Sequence, residues 1–222
     1  MHGSSRGRVF KKIDIAAEDV TNVRMLQLPL VNAERYWAYA MELKEESVDH
    51  HDEPRKLYHS LRRLAKAAQW ARKLKDFAAK LADDITALEA DAYCSTMEGL
   101  LALDKEDWES AFTHFSRSKT IYEKLGEVSK GSQRDLLIQR AEETVQHIRY
   151  CEYNLSREGK SVEVSCVKCH LSTIVTIVMR QFEDKCHNCM HYSVNVVSKS
   201  VYQGSNVFFL GVLSNHVIAG TI

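Results

Sequence analysis

The stretch from Glu53 to Lys75 carries Arg55, Lys56, Arg62, Arg63, Lys66, Arg72, Lys73 and Lys75, with no carboxylate after Glu53. Guanidinium and ammonium groups in one unbroken row suit the recognition of a polyanion. Arginine supplies bidentate contacts to phosphate and lysine supplies point charges. Surface helices ordinarily alternate signs to gain i,i+4 pairs, so a positive run of this length points to a nucleic acid. A second reading stays open, in which the row is a solvated face whose partners lie on neighbouring acidic helices. Tyr58 and Trp70 share the stretch, either as packing residues or as part of the RNA contact.

A second constellation is Cys166-x2-Cys169 followed by Cys186-x2-Cys189. Two such knuckles fit a tetrahedral zinc site of four thiolates, with the adjacent His170 and His187 as substitutes. The turns lack the glycines and aromatics that usually shape such knuckles, so an accidental pattern stands beside structural zinc. No other cofactor is implied. Catalysis has no comparable pattern: G-x-S-x-G, a phosphate-binding glycine loop and H-E-x-x-H are all missing, and the chain reads as a non-enzyme. Cys94 and Cys151 fall in helical patterns and read as small buried apolar groups.

The elements that must position these residues are helices. Leu57, Leu61, Leu64, Ala68 and Ala71 recur at steps of four and three, while Arg55, His59, Arg62, Lys66, Gln69 and Lys73 recur on another face. The row therefore predicts one long helix, oily on one side and cationic on the other, with Pro54 in its first turn. Upstream, Ile13–Leu28 predicts a helix that Pro29 ends or kinks, and Asn32–Ser47 a second. Downstream, helices are expected from Asp83 or Asp84 to about Leu103, over Glu106–Leu125 with Gly126 as a stop, and over Ser132–Asn154. Ala111 and Phe115 reproduce the A-x3-F spacing of tetratricopeptide units, with Trp108 before them, but no 34-residue recurrence follows. The expected fold is all-α, tetratricopeptide-like stacked antiparallel helices with a short irregular or β-containing C-terminal tail. Residues 1–12 read as a disordered basic N-terminus, 13–155 as a helical RNA-binding domain, and 156–222 as a divergent cysteine-bearing tail, disordered or built of short strands.

The 222 residues have a formal net charge of zero, but the charge is segregated: Asp83 to Glu109 is acidic with Lys105 as its single cation, directly after the basic row. No apolar run is long enough for a transmembrane helix. The N-terminus lacks an apolar signal core, which predicts a cytosolic or nuclear protein. In such a reducing compartment, six cysteines favour metal binding over disulfides.

Four segments, Asn32–Glu46, Glu53–Leu74, Glu106–Leu125 and Ile148–Asn154, together resemble successive pieces of one family. It is the 68-kilodalton subunit of the eukaryotic signal recognition particle, in its N-terminal RNA-binding domain. The resemblance implies a helical domain that binds and remodels the particle's RNA near its junction. It also implies a place in the particle that delivers ribosomes making secretory or membrane proteins to the endoplasmic reticulum. Partners implied are the particle's RNA, other particle proteins and, indirectly, the ribosome, without membrane insertion. Localisation implied is cytoplasmic, with a nuclear or nucleolar assembly stage. Arg55, Lys56, Arg62, Arg63 and Lys66 match the family's basic helical segment, and Arg8, Lys11 and Lys12 its basic stretch upstream; Lys73 joins them on the same helical face. The sequence departs from the family in starting after its dense arginine cluster and in turning into the cysteine-bearing tail after Asn154. On that basis contact with the 72-kilodalton subunit is expected to be lost. The alternative function is a helical-repeat protein adaptor with an appended four-cysteine zinc module.

Overall fold

The computed structural model of the chain describes residues 2–6, 9–13, 20–49 and 54–159. Among them are two short strands, β1 (His2–Arg6) and β2 (Val9–Ile13), and five helices: α1 (Gln27–Asp49), α2 (Pro54–Leu81), α3 (Asp84–Asp104), α4 (Trp108–Val128) and α5 (Ser132–Arg157). The strands pair antiparallel, with Lys11 opposite Ser4 and Lys12 opposite Gly3. The backbone polar groups of the two strands pair with each other across the hairpin.

Each helix runs antiparallel to the next, as the paired residues show. Ser60 of α2 donates to the carbonyl of Ala40 in α1, Arg72 and Lys75 of α2 meet Glu98 and Asp91 of α3 in reversed order, Thr96 of α3 hydrogen-bonds Ser118 of α4, and Phe115 of α4 stacks on His147 of α5. Consequently α1, α3 and α5 point one way and α2 and α4 the other. The fold is all-α apart from the hairpin, as the helical periodicities predict. The short connections at residues 82–83, 105–107 and 129–131 suit antiparallel neighbours. Asp83 caps α3 by accepting from the Thr86 amide and hydroxyl, and Asp107 caps α4 by accepting from the Ser110 amide.

Three expectations about boundaries change. A short 3-10 turn, Val23–Leu26, leads into α1, and Pro29 sits in the first turn of α1 instead of ending a preceding helix. There its missing N–H costs nothing, because the first amides of a helix have no intrahelical partner. Ile13 belongs to β2 and not to a helix start. Gly126 does not stop α4, which continues to Val128. It is buried, and a Cβ there would lie 3.2 Å from Ile138 Cγ1, so glycine serves close approach of α4 to α5.

The core is divided around α3. On one side Leu30, Ala33 and Ala40 of α1, Leu64, Ala68, Ala71 and Leu74 of α2, and Ala90, Cys94 and Met97 of α3 form one cluster. On the other, Ala92 packs with Ile121, Leu125, Leu137 and Ala141, and Ala102 with Phe112, Phe115, Cys151 and Leu155. The small residues of α3 permit this double contact. At Gly99 an added Cβ would sit 2.9 Å from the Phe115 ring, which is wholly buried and stacked on His147. Gly99→Ala is therefore expected to destabilise the domain. The helix gains about 1 kcal/mol of propensity, but displacing Phe115 costs about 1–3 kcal/mol, a net loss of about 1 kcal/mol. Thermal melts of the two proteins check this.

Burial keeps the two described thiols protonated. Cys94 is pushed up to about 12 and Cys151 to about 11. Neither is poised as a nucleophile.

Candidate nucleic-acid interface

Twenty-eight residues of α2 carry the basic row, and their buried stripe decides where the cations point. Leu64, Ala67, Ala68, Ala71, Leu74, Phe77 and Ala78 are buried against α1 and α3. Arg55, His59, Arg62, Lys66 and Gln69 are exposed on the outer side, as the periodicity predicts, and Lys73 is half-buried. Leu57 departs from the expected buried stripe and is 56% exposed; Leu61 is half-buried. They lie in the first two turns of α2, ahead of the fully buried stripe that begins at Leu64.

The row divides into two electrostatic halves. In its C-terminal half, Arg72 Nε lies 2.5 Å from Glu98 Oε1 and Lys75 Nζ 2.8 Å from Asp91 Oδ1, both acceptors being on α3. The same carboxylates also meet α4. Arg117 Nη2 is 2.6 Å from Asp91 Oδ2, and His114 Nδ1 is 3.4 Å from Glu98 Oε2. Two rungs, seven residues apart on α3, thus tie α2 to α4 through shared acids. For Arg72 and Lys75, acidic groups of the following helix take up their charge.

The N-terminal half is different. Lys56 pairs with Glu46 of α1 at 3.4 Å. Among the described residues, however, no carboxylate lies within ion-pair reach of Arg55, Arg62, Arg63, Lys66 or Lys73. Arg63 instead lies 5.0 Å from the Tyr39 ring centroid, Arg62 5.8 Å from that of Tyr58, and Lys73 4.9 Å from that of Trp70. Lys66 Nζ donates to Gln69 Oε1 at 3.1 Å. Such cation–π contacts orient a guanidinium without neutralising it, so the charge stays available to an outside anion. Tyr39 comes from α1, which the sequence reading left out of the site.

Other predicted site residues fall elsewhere. Lys11 and Lys12 lie in β2, and Arg8 is outside the described residues. Cys166, Cys169, Cys186 and Cys189 also lie outside them, as do the short strands expected in the tail. Among the described residues no cluster of three His, Cys, Asp or Glu is able to hold a metal ion, and no helix is long and apolar enough to cross a membrane.

Away from this surface, α1, α3 and α5 share a buried polar site. Tyr93 donates to Glu34 Oε1 at 2.6 Å, and the Arg140 guanidinium of α5 acts on both. Glu89, one turn before Tyr93, is 2% exposed, and burial with the Asp83 charge pushes its carboxyl up to about 8. Burial likewise raises Glu34 above the usual carboxylate range and holds His147 below the usual imidazole value.

A family model described as RNA-binding signal recognition particle 68 matches residues 2–176. Signal recognition particle subunit SRP68 of Dictyostelium discoideum is 41% identical over 141 residues, 64% of this chain and 23% of that protein. The Drosophila melanogaster subunit is 36% identical over 154 residues, 67% of this chain and 25% of its own length. That of Caenorhabditis elegans is 30% identical over 156 residues, 69% and 25% respectively. The chain thus spans about a quarter of the length of the curated relatives it matches. Among solved structures, the SRP68-RBD from Chaetomium thermophilum is similar, with a TM-score of 0.57 at 25% identity over 82% of this chain and 80% of that one. A helical fold of this kind, a cationic helix on its surface and a family match over most of the chain lead to one assignment: the chain belongs to the SRP68 family, in its RNA-binding domain.

Proposed function

We propose that this chain is a non-enzymatic RNA-binding module that holds the signal recognition particle's RNA along the N-terminal half of α2, in support of cotranslational targeting to the endoplasmic reticulum. The observation that carries it is the set of cations at Arg55, Arg62, Arg63, Lys66 and Lys73, three exposed and two half-buried, left without acidic partners among the described residues. Lys56 borders this face, and Lys11 and Lys12 of β2, with Arg8, add basic residues from the N-terminus. Other particle proteins are the partners that fit such a module, in the cytoplasm and at a nuclear assembly stage.

Affinity made of phosphate contacts depends steeply on salt. With five contacts the logarithm of the binding constant falls by about 3.5–4.5 per decade of salt, at roughly 0.7–0.9 per contact. Titration of the particle's RNA over a range of potassium chloride concentrations tests this. A slope near zero would sink the assignment of RNA binding to this face.

A further inference from the structure

We propose that the Tyr39–Arg63 and Tyr58–Arg62 pairs form a stacking platform for unpaired nucleotides, so that this face holds RNA by its bases as well as by its phosphates. The inference rests on the reading of α2 as an RNA-binding helix and adds the class of RNA it selects.

Three of the cations on α2 lie against aromatic rings and not against acids. Two of those rings are open to solvent: Tyr58 is 61% exposed and Tyr39 is 39% exposed. Leu57, beside Tyr58, is also mostly exposed. Packing does not account for Tyr58 and Leu57, because burying side chains of this size in the core would have stabilised the fold by about 1.5–3 kcal/mol each. Phosphate contact does not account for the rings either, since lysine and arginine alone suffice for a charged backbone. A paired A-form helix hides its base faces and offers phosphates and hydroxyls. Unpaired bases expose π-faces that stack on aromatic rings and on guanidinium planes. A ring with an arginine laid over it is a composite of both surfaces. An acidic protein would use the charge of this face but has no need of flat rings beneath the guanidinium groups.

The test uses the full chain with two probes: a short unstructured oligoadenylate and a blunt RNA duplex of equal nucleotide count. Replacing Tyr39→Ala and Tyr58→Ala together is expected to weaken oligoadenylate binding by about 5–150-fold per stacked base, the equivalent of about 1–3 kcal/mol. The salt slope stays as in the parent, and duplex affinity changes little. Tyr39→Phe with Tyr58→Phe keeps the ring faces and is expected to restore binding, while far-UV circular dichroism confirms that each variant folds. The platform is overturned if the alanine pair leaves oligoadenylate affinity within about twofold of the parent, or if duplex affinity falls equally. It is also overturned if polyglutamate displaces the oligonucleotide as well as unlabelled RNA does. In those cases loss of binding on charge reversal at Arg62, Arg63 and Lys66 still supports the RNA reading. If charge reversal also changes nothing, that reading fails and takes the platform with it.

Discussion

Arg62→Glu, Arg63→Glu and Lys66→Glu combined in one protein are expected to lower affinity for the particle's RNA by at least about 100-fold at physiological salt. Each charge-assisted contact is worth on the order of 1 kcal/mol or more, and three of them lost together exceed two factors of ten. The salt slope falls by about 2–3 at the same time, because three counterion-releasing contacts have gone. Folding should be unaffected. None of the three is bonded to a buried acid: two lie over tyrosine rings and one donates to Gln69 on its own helix. Surface substitutions of that kind ordinarily shift stability by less than about 0.5 kcal/mol. The control is Arg72→Glu. That arginine belongs to the rung with Glu98, so its reversal places two acids side by side on α2 and α3. It is expected to lower the melting temperature and to spare the salt slope. Parallel melting and binding curves separate the two halves of the row.

The stability of the domain is expected to fall as pH rises from about 5 to about 8, by on the order of 2–4 kcal/mol. The cause is Glu89. Its carboxyl ordinarily titrates near 4.5 and is raised to about 8 in the folded chain, first by burial and then by the Asp83 charge. Between those values the folded state holds a proton that the unfolded state has released. Stability then declines with rising pH and levels off above the folded value. A shift of this size corresponds to at most about 5 kcal/mol at 1.36 kcal/mol per unit, and relaxation of the site takes up part of it. Glu34, raised by its own burial, adds to the fall. His147 acts in the opposite sense: burial holds it below its usual value, so below about 6.5 its protonation favours the unfolded chain and offsets part of the Glu89 effect, leaving the fall steepest between about 6.5 and 8. Glu89→Gln keeps the volume and removes the proton, and is expected to flatten the alkaline limb in chemical denaturation measured across pH. An unchanged limb would locate the linkage elsewhere.

Much of this architecture was readable in the spacing of apolar residues. The helices of α2 to α5 follow stripes such as Leu64, Ala68 and Ala71, or Ala111 and Phe115, and the α3 cap follows Asp83, whereas Asp107, the α4 cap, was expected inside the helix. Periodicity is a local signal, and it failed where a distant contact decided the outcome. Gly126 looked like a helix stop because glycine often ends helices, yet its role is set by Ile138 on another helix. Pro29 looked like a breaker until α1 was seen to start just two residues before it. The cationic face was legible as residues and not as electrostatics. Nothing in the order of the chain distinguishes Arg62 from Arg72. Only the approach of Glu98 and Asp91 on α3 separates an open charge from one already answered. Tyr39 was missed for the same reason, since its ring meets Arg63 across a helix boundary.

The double use of α3 has a consequence for how the domain comes apart. Both faces of that helix are committed, with α1 and α2 leaning on one and α4 and α5 on the other. Neither flank retains a complete interior once the shared partition is lost, so melting either side deprives its neighbour of a wall. The five helices are therefore bound to unfold as one unit, and the cationic face on α2 inherits the rigidity of residues that never approach it.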